Sequence, residues 1–189
     1  MRQAHLILIT GLPGTGKSTL ARALARHYAI PLVCKDAIKE SLFDTLGAPD
    51  RAGSRRLSDA SFAVMFSLLR DCIAADIDVI LEGNFRPGEH EGPLIETSAR
   101  IAQVLCRVPE PVRIERLQAR ASDPTRHPGH RDAEFVLPHP PATTGFLALP
   151  GERFTFDTDG ESSTPHPAPP LEMLIYALDQ WRDNGSRTL

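Results

Sequence analysis

Residues 11–18 read Gly-Leu-Pro-Gly-Thr-Gly-Lys-Ser and directly follow the apolar run Leu6-Ile7-Leu8-Ile9-Thr10. A short apolar run ended by glycine suits a strand buried on both faces, as in a parallel sheet. The glycines let the backbone curl so that successive N–H groups point inward. Lys17 to Tyr28 then reads as a helix, with Leu20, Ala21, Leu24 and Ala25 as its apolar stripe. Its first turn adds unpaired N–H groups and the positive end of the helix dipole. A concave ring of donors opening a helix is a site for a polyphosphate. The segment fills every fixed position of the pattern G-x-x-x-x-G-K-[ST]. Four fixed positions recur by chance in roughly 1% of chains of this length, and the strand before and helix after lower that further. In this pattern Lys17 reaches the β- and γ-phosphates and the Ser18 hydroxyl binds Mg²⁺. The nucleotide set is Gly11, Leu12, Pro13, Gly14, Thr15, Gly16, Lys17, Ser18 and Thr19, with ATP and Mg²⁺ as the expected cofactors.

The alternation of strand and helix continues. Leu32–Cys34 is expected as a second strand, Asp36–Leu46 as a helix closed by Gly47, and Arg55–Ala75 as a longer helix with Phe62, Met65, Phe66 and Leu69 on one face. Asp78–Leu81 is the third strand, followed by Glu82-Gly83. Pro93–Arg100 reads as a helix, Ile101–Val108 as a strand, and Pro109–Ala121 as a helix with proline in its first turn. Ser122–Arg131 is polar and broken by Pro and Gly, hence a loop. Phe154–Phe156 is a weak last strand, and Leu171–Asp183 a closing helix with Leu171, Leu174, Ile175, Leu178 and Trp181 inward. The proline-rich stretches 137–150 and 160–170 read as irregular surface loops. Short buried strands alternating with helices make an α/β fold, a three-layer α/β/α domain with a parallel sheet. No internal repeat is visible, and the chain reads as one domain over 1–189.

Two acids mark strand ends. Asp36 follows the second expected strand and Glu82 the third. In an open parallel sheet ligands gather at the carboxyl ends of the strands, so both are expected to face the crevice of the γ-phosphate. A phosphoryl acceptor needs a carboxylate to take or orient its hydroxyl proton, and Mg²⁺ needs acidic support. Asp36 suits the first role and Glu82 the second, with Ser18 and Glu82 as the metal set. Asp36 also fits a helix N-cap. Asn84 and Arg86 are candidate substrate contacts beside Glu82.

Arg116 and Arg120 lie one helical turn apart and share a face. Like charges at that spacing repel unless an anion sits between them. A closing lid over about 116–132 that carries them would stabilise the charge of a transferring phosphoryl group and exclude water. Arg126 joins them as a weaker substrate contact, whereas Arg113 and Arg131 read as solvated surface charges. His127-Pro128-Gly129-His130 with His139 has no cysteine nearby and lacks a set helical spacing, so it does not read as a metal site.

The net charge of −3 argues against a surface that grips nucleic acid along its length. Cys34, Cys72 and Cys106 form no metal or redox motif and sit among apolar residues, as reduced buried thiols in a cytosolic protein would. The run 6–9 is too short for a secretory signal, and no stretch approaches the ~20 apolar residues that span a bilayer.

These residues together resemble the small P-loop kinases grouped around chloramphenicol phosphotransferase and zeta toxin. The resemblance runs from Leu6 to about Asp159. It rests on the cradle Gly11 to Ser18, on Val33-Cys34-Lys35-Asp36 with Ile38-Lys39-Glu40 after it, on Glu82-Gly83, and on the Arg116/Arg120 helix leading to His127-Pro128-Gly129-His130-Arg131-Asp132. It implies a nucleoside-monophosphate-kinase-like core of five parallel strands in order 2-3-1-4-5. It implies Asp36 as the base that activates an acceptor hydroxyl, and Arg116 and Arg120 as lid arginines. Phe156-Asp157-Thr158 resembles the family's last strand and the turn beside the adenine, which adds Asp157 and Thr158 to the nucleotide set. The chain departs from the best-known members after Leu137, so their acceptors do not carry over.

Lys17, Asp36, Arg116 and Arg120 are thus the expected catalytic residues. The expected activity is ATP-dependent phosphorylation of a small hydroxylated metabolite or antibiotic. Two alternatives stay open: a nucleoside, nucleotide or polynucleotide-end kinase, and an ATP-driven regulatory switch without an acceptor.

Overall fold

The computed structural model describes residues 3–48, 50–130, 145–158 and 171–184. Arg131, Asp132, His139, Asp159 and the proline-rich stretches 137–144 and 160–170 lie outside the described residues. The order of elements is β1 His5–Thr10, α1 Lys17–Tyr28, β2 Leu32–Cys34, α2 Lys35–Leu46, α3 Arg51–Ala74, β3 Val79–Glu82, α4 Gly92–Ile95, β4 Arg100–Arg107, α5 Glu110–Ala121, β5 Glu152–Asp157 and α6 Leu171–Asn184.

The strands form one parallel sheet in the order β2-β3-β1-β4-β5, as expected. β1 lies at its centre and is buried along its whole length. Side chains alternate across a strand, so Leu6 and Leu8 enter one core and Ile7 and Ile9 the other. The first core packs against α3 through Phe62, Met65, Phe66 and Leu69. The second packs α1 through Leu20, Ala21 and Leu24, and α6 through Leu174, Leu178 and Trp181. These are the helix faces that the apolar periodicity marks. Leu171 and Ile175 are only half-buried against the second core.

Several boundaries differ from expectation for local reasons. α3 starts at Arg51, one turn early, because Asp50 caps it: its carboxylate accepts the Gly53 N–H at 2.6 Å. β3 runs to Glu82, so this acid ends the strand instead of following it. The helix expected over 93–100 is a single turn, Gly92–Ile95. Its backbone is drawn away early: the Thr97 hydroxyl bonds the Leu94 carbonyl at 2.9 Å, and the Arg100 N–H bonds Ala4 O at 2.9 Å, starting β4 alongside β1. β5 is longer than the three residues expected, because all six of its residues pair with β4.

The end of the sheet away from the glycine loop is fixed by charge. Asp78, almost fully buried, accepts the His5 N–H at 2.9 Å and pairs with Arg182 of α6 at 2.7 Å. This ties α6 to β1. The opposite edge, at the carboxyl ends of β1, β2 and β3, carries Gly11–Ser18, Lys35-Asp36 and Glu82. Among the described residues no helix is long and apolar enough to cross a membrane.

Candidate active site

The loop between β1 and α1 adopts a conformation only glycine tolerates well: φ is +148° at Gly11, +88° at Gly14 and +79° at Gly16. Space imposes the same choice. A Cβ at Gly14 would meet Arg113 Cγ at 3.1 Å, and one at Gly16 would meet Thr158 Oγ1 at 3.0 Å. α5 and the turn after β5 therefore back the loop from outside. On the inside, Gly16 is the N-cap of α1 and no side chain caps the helix; the Thr19 N–H bonds Gly16 O at 3.1 Å, which leaves the N–H groups of Lys17 and Ser18 for another acceptor. The Leu12 carbonyl accepts the Thr15 hydroxyl at 2.8 Å, the Thr15 N–H at 3.3 Å and Lys17 Nζ at 2.9 Å. Uncapped N–H groups, a curled glycine backbone and a lysine amine in one place fit a polyphosphate.

Glu82 is 1% exposed. Its Oε2 accepts the Ser18 hydroxyl at 3.3 Å and the Cys34 thiol at 2.8 Å. Among the described residues no Lys or Arg pairs with this buried carboxylate. A buried carboxylate beside a hydroxyl at the mouth of a phosphate cradle is a donor set that suits Mg²⁺, which takes one or two carboxylates and completes its shell with phosphate oxygens and water. Burial, reinforced by Glu82, pushes the Cys34 thiol up to about 12. Burial likewise lifts Cys106 to about 12. Both thiols stay protonated, and Cys34 acts as a hydrogen-bond donor to the carboxylate.

Asp36 lies in the first turn of α2, directly after β2. Its side chain is 44% exposed and bonds Lys35 Nζ at 3.1 Å, while the Lys35 side chain is 7% exposed. Desolvation opposes ionisation of Asp36, but Lys35, His130 and Lys17 outweigh it and hold the carboxyl below the usual range. Asp36 is thus a carboxylate at neutral pH, open to solvent on one side and surrounded by cations on the other. It does not cap α2; the N-cap is Cys34, without a side-chain bond.

The arginines separate into three situations. Arg116 donates from Nη1 to Thr158 Oγ1 and from Nη2 to Thr158 O, both at 2.9 Å, and reaches Gly14 O at 3.5 Å. Thr158 in turn donates its hydroxyl to Thr15 O at 2.8 Å. Arg120 is half-buried and makes no side-chain hydrogen bond among the described residues. Arg113 departs from its reading as a solvated charge: its side chain is 11% exposed, clamped on Glu110 at 2.6 Å, and it reaches the Pro13 carbonyl at 3.3 Å.

The remaining expected residues are less gathered. Thr19 is exposed on α1, and Asp157 ends β5 opposite Arg107. Asn84 is half-buried, and Arg126 is half-buried in the turn after α5. Arg86 pairs with Glu89 at 3.0 Å and faces a groove of about 480 Å³ lined also by Asp59, Phe62, Arg70 and His90. Neither the glycine loop nor Asp36 lines this groove. Gly83 is the link: its Cβ position is 3.3 Å from Lys35 Cβ and 3.6 Å from Phe62 Cε1.

Sequence reasoning missed three participants. Lys35 is a buried lysine beside an acid, and its place next to the second strand was the available signal. Arg113 follows its partner Glu110 by one turn, a spacing that favours an ion pair over a free charge. His130 contacts Glu40, far away in sequence; nothing in local pattern announces it.

With this geometry in hand, comparison with known proteins is consistent throughout. Residues 6–134 match the family described as AAA domain. A structure of a "putative kinase" from Chloroflexus aurantiacus shares 29% of its residues with this chain, covering 95% of this chain and 99% of its own, at a TM-score of 0.82. A sugar kinase from Janibacter sp. aligns over 95% of both chains at 15% identity and a TM-score of 0.61. A gluconokinase from Sinorhizobium meliloti aligns over 97% of both chains at 18% identity and a TM-score of 0.54. The chain belongs to the AAA domain family and is built on the fold of the small P-loop kinases.

Proposed function

We propose that this protein is an ATP-dependent phosphotransferase that moves the γ-phosphate to a hydroxyl of a small molecule. The observation that carries the reading is Asp36: an ionised, half-open carboxylate on the same sheet edge as the glycine cradle, close enough to feel the charge of Lys17. An NTPase switch needs a cradle, whereas a second carboxylate open to solvent beside it suits an acceptor. The fold shared with proteins named as a sugar kinase and a gluconokinase agrees with this reading.

Gly11 to Ser18 and Thr19 would hold the polyphosphate, with Lys17 turning from Leu12 O toward it. Ser18 and Glu82 would hold Mg²⁺. ATP supplies the phosphoryl group and Mg²⁺ offsets its charge when both are bound. Asp36 orients the acceptor hydroxyl and takes its proton, and the low basicity conferred by Lys35 suits a proton that leaves late, as in a loose transfer. Arg120, without a partner of its own among the described residues, would neutralise transferred charge. Arg116, Asp157 and Thr158 would form the wall at the nucleotide end. Asn84, Arg86 and Arg126 would contact the acceptor through its parts distant from the reacting hydroxyl.

A screen of hydroxyl compounds with labelled ATP, read by product mass, tests the reading. A phosphorylated product whose formation collapses in Asp36→Asn supports it. Hydrolysis of ATP at one rate whatever acceptor is added would favour a switch and overturn it.

A further inference from the structure

The turn after α5 is built to fit one face of α2. Gly129 N–H donates to His127 Nδ1 at 3.0 Å. That fixes the His127 proton on Nε2, which meets Asp44 Oδ1 at 3.0 Å. His130 Nε2 meets Glu40 Oε1. Phe43 lies between the two acids, edge-on to His127 with ring centroids 5.6 Å apart. A Cβ at Gly129 would stand 3.3 Å from Phe43 Cβ, so glycine lets the turn approach the helix. The two contacts differ in weight. The His127 and Asp44 side chains are 22% and 67% exposed, those of His130 and Glu40 8% and 36%. An exposed pair contributes little, so His130–Glu40 is the bond that matters. Glu40 stands one turn beyond Asp36 on the same face of α2, and the turn continues the helix that carries Arg116 and Arg120.

We propose that the His127–His130 turn is a latch that closes on α2, and that His130, held by Glu40, is a positioning residue for Asp36. The latch joins the arginine helix to the carboxylate helix across the site. His130 also contributes to keeping Asp36 ionised, after the larger influence of Lys35. The role of Asp36 rests on the phosphotransferase reading; the latch does not.

Both halves are measurable without an acceptor. In the folded full-length protein, trypsin cleavage after Arg126 reports opening of the turn, because cleavage follows the population of the open form. The Asp36 carboxyl is titrated by carbon NMR. Its neighbours in that titration are Lys35, Lys17, His130 and, one turn along α2, Glu40. His130→Ala is expected to speed cleavage by about tenfold or more and to raise the Asp36 midpoint. His130→Gln keeps an amide donor toward Glu40 without the charge; it restores protection and leaves the midpoint raised. Glu40→Gln, a second way to weaken the contact, also speeds cleavage, and Asp44→Asn changes it by about twofold at most. Equal cleavage in wild type, His130→Ala and Glu40→Gln overturns the latch. Faster cleavage with an unmoved Asp36 midpoint overturns the positioning role. Full acceptor turnover in Asp36→Asn would instead defeat the phosphotransferase reading and leave both measurements standing.

Discussion

Arg116 grips both the hydroxyl and the carbonyl of Thr158, each at 2.9 Å, although 42 positions separate them. Arg120, one turn further along α5, has no such partner among the described residues. The two arginines therefore predict different phenotypes. Arg116→Ala releases the turn that backs Gly16, so it should lower the thermal midpoint, by about 1 kcal/mol of stability, and weaken ATP binding. Arg120→Ala should leave stability within about 0.5 kcal/mol and ATP affinity nearly unchanged, while turnover with acceptor falls by about tenfold or more. Arg120→Lys should recover only part, because lysine lacks the planar fork. Calorimetry and steady-state kinetics on the three proteins check this; identical profiles for both alanine variants would refute the division.

Asp36→Asn should retain nucleotide binding and lose about 10²–10⁴-fold in transfer. The folded carboxyl titrates below its ordinary value because Lys35, His130 and Lys17 together overcome its desolvation. A depressed carboxyl contributes stability above the unfolded value of ~3.9, lost as pH falls through the folded value. The acid limb of kcat/KM that belongs to Asp36 should accordingly lie below pH ~4. A limb near neutrality that vanishes in the Asn variant would contradict this assignment.

Lys17→Ala should cost at least about 10²-fold in ATP turnover and leave far-UV dichroism intact. The side chain is half-buried and bonded to Leu12 O. Its loss removes a hydrogen bond within the loop and opens no core cavity, so stability should fall by about 1 kcal/mol at most. An active, normally folded variant would sink the cradle assignment.

Stability should decline on mild acidification through two buried histidines that lie outside the glycine cradle. Burial, chiefly, lowers the affinity of His5 and His90 for a proton. His90 is stacked on Phe62 at 4.0 Å and accepts the Arg86 N–H at 2.8 Å through Nδ1. The unfolded chain takes up protons first, near pH ~6.5, so stability is whole above that pH and falls below it. Thermal midpoints measured from pH 7.5 to 5 should drop, and a flat profile would count against buried neutral imidazoles.

Local chemistry made much of this legible in advance. The Gly-rich octapeptide, the period of α1 and α3 and the all-apolar β1 each carry their structure in adjacent residues, and they delivered the sheet and its cradle. Glu82 announced itself as an acid at a strand end. The failures share a cause: the deciding partner is remote. The expected helix over 93–100 was cut short because Arg100 N–H finds Ala4 O. Arg113 looks like a surface charge until α5 is laid against the loop. His130 is a turn residue until α2, 90 positions earlier, is placed beside it.

The Leu12 carbonyl receives Lys17 and both donors of Thr15. An ammonium carries three N–H donors, so Lys17 can meet an anion while it still holds this oxygen, and a charged acceptor offers it the stronger bond. A chain of linked phosphates could meet the amine with one group and the uncapped turn of α1 with another. Preference for longer over shorter anions would then come from having two sets of donors on one loop, with a single backbone oxygen holding the amine in place.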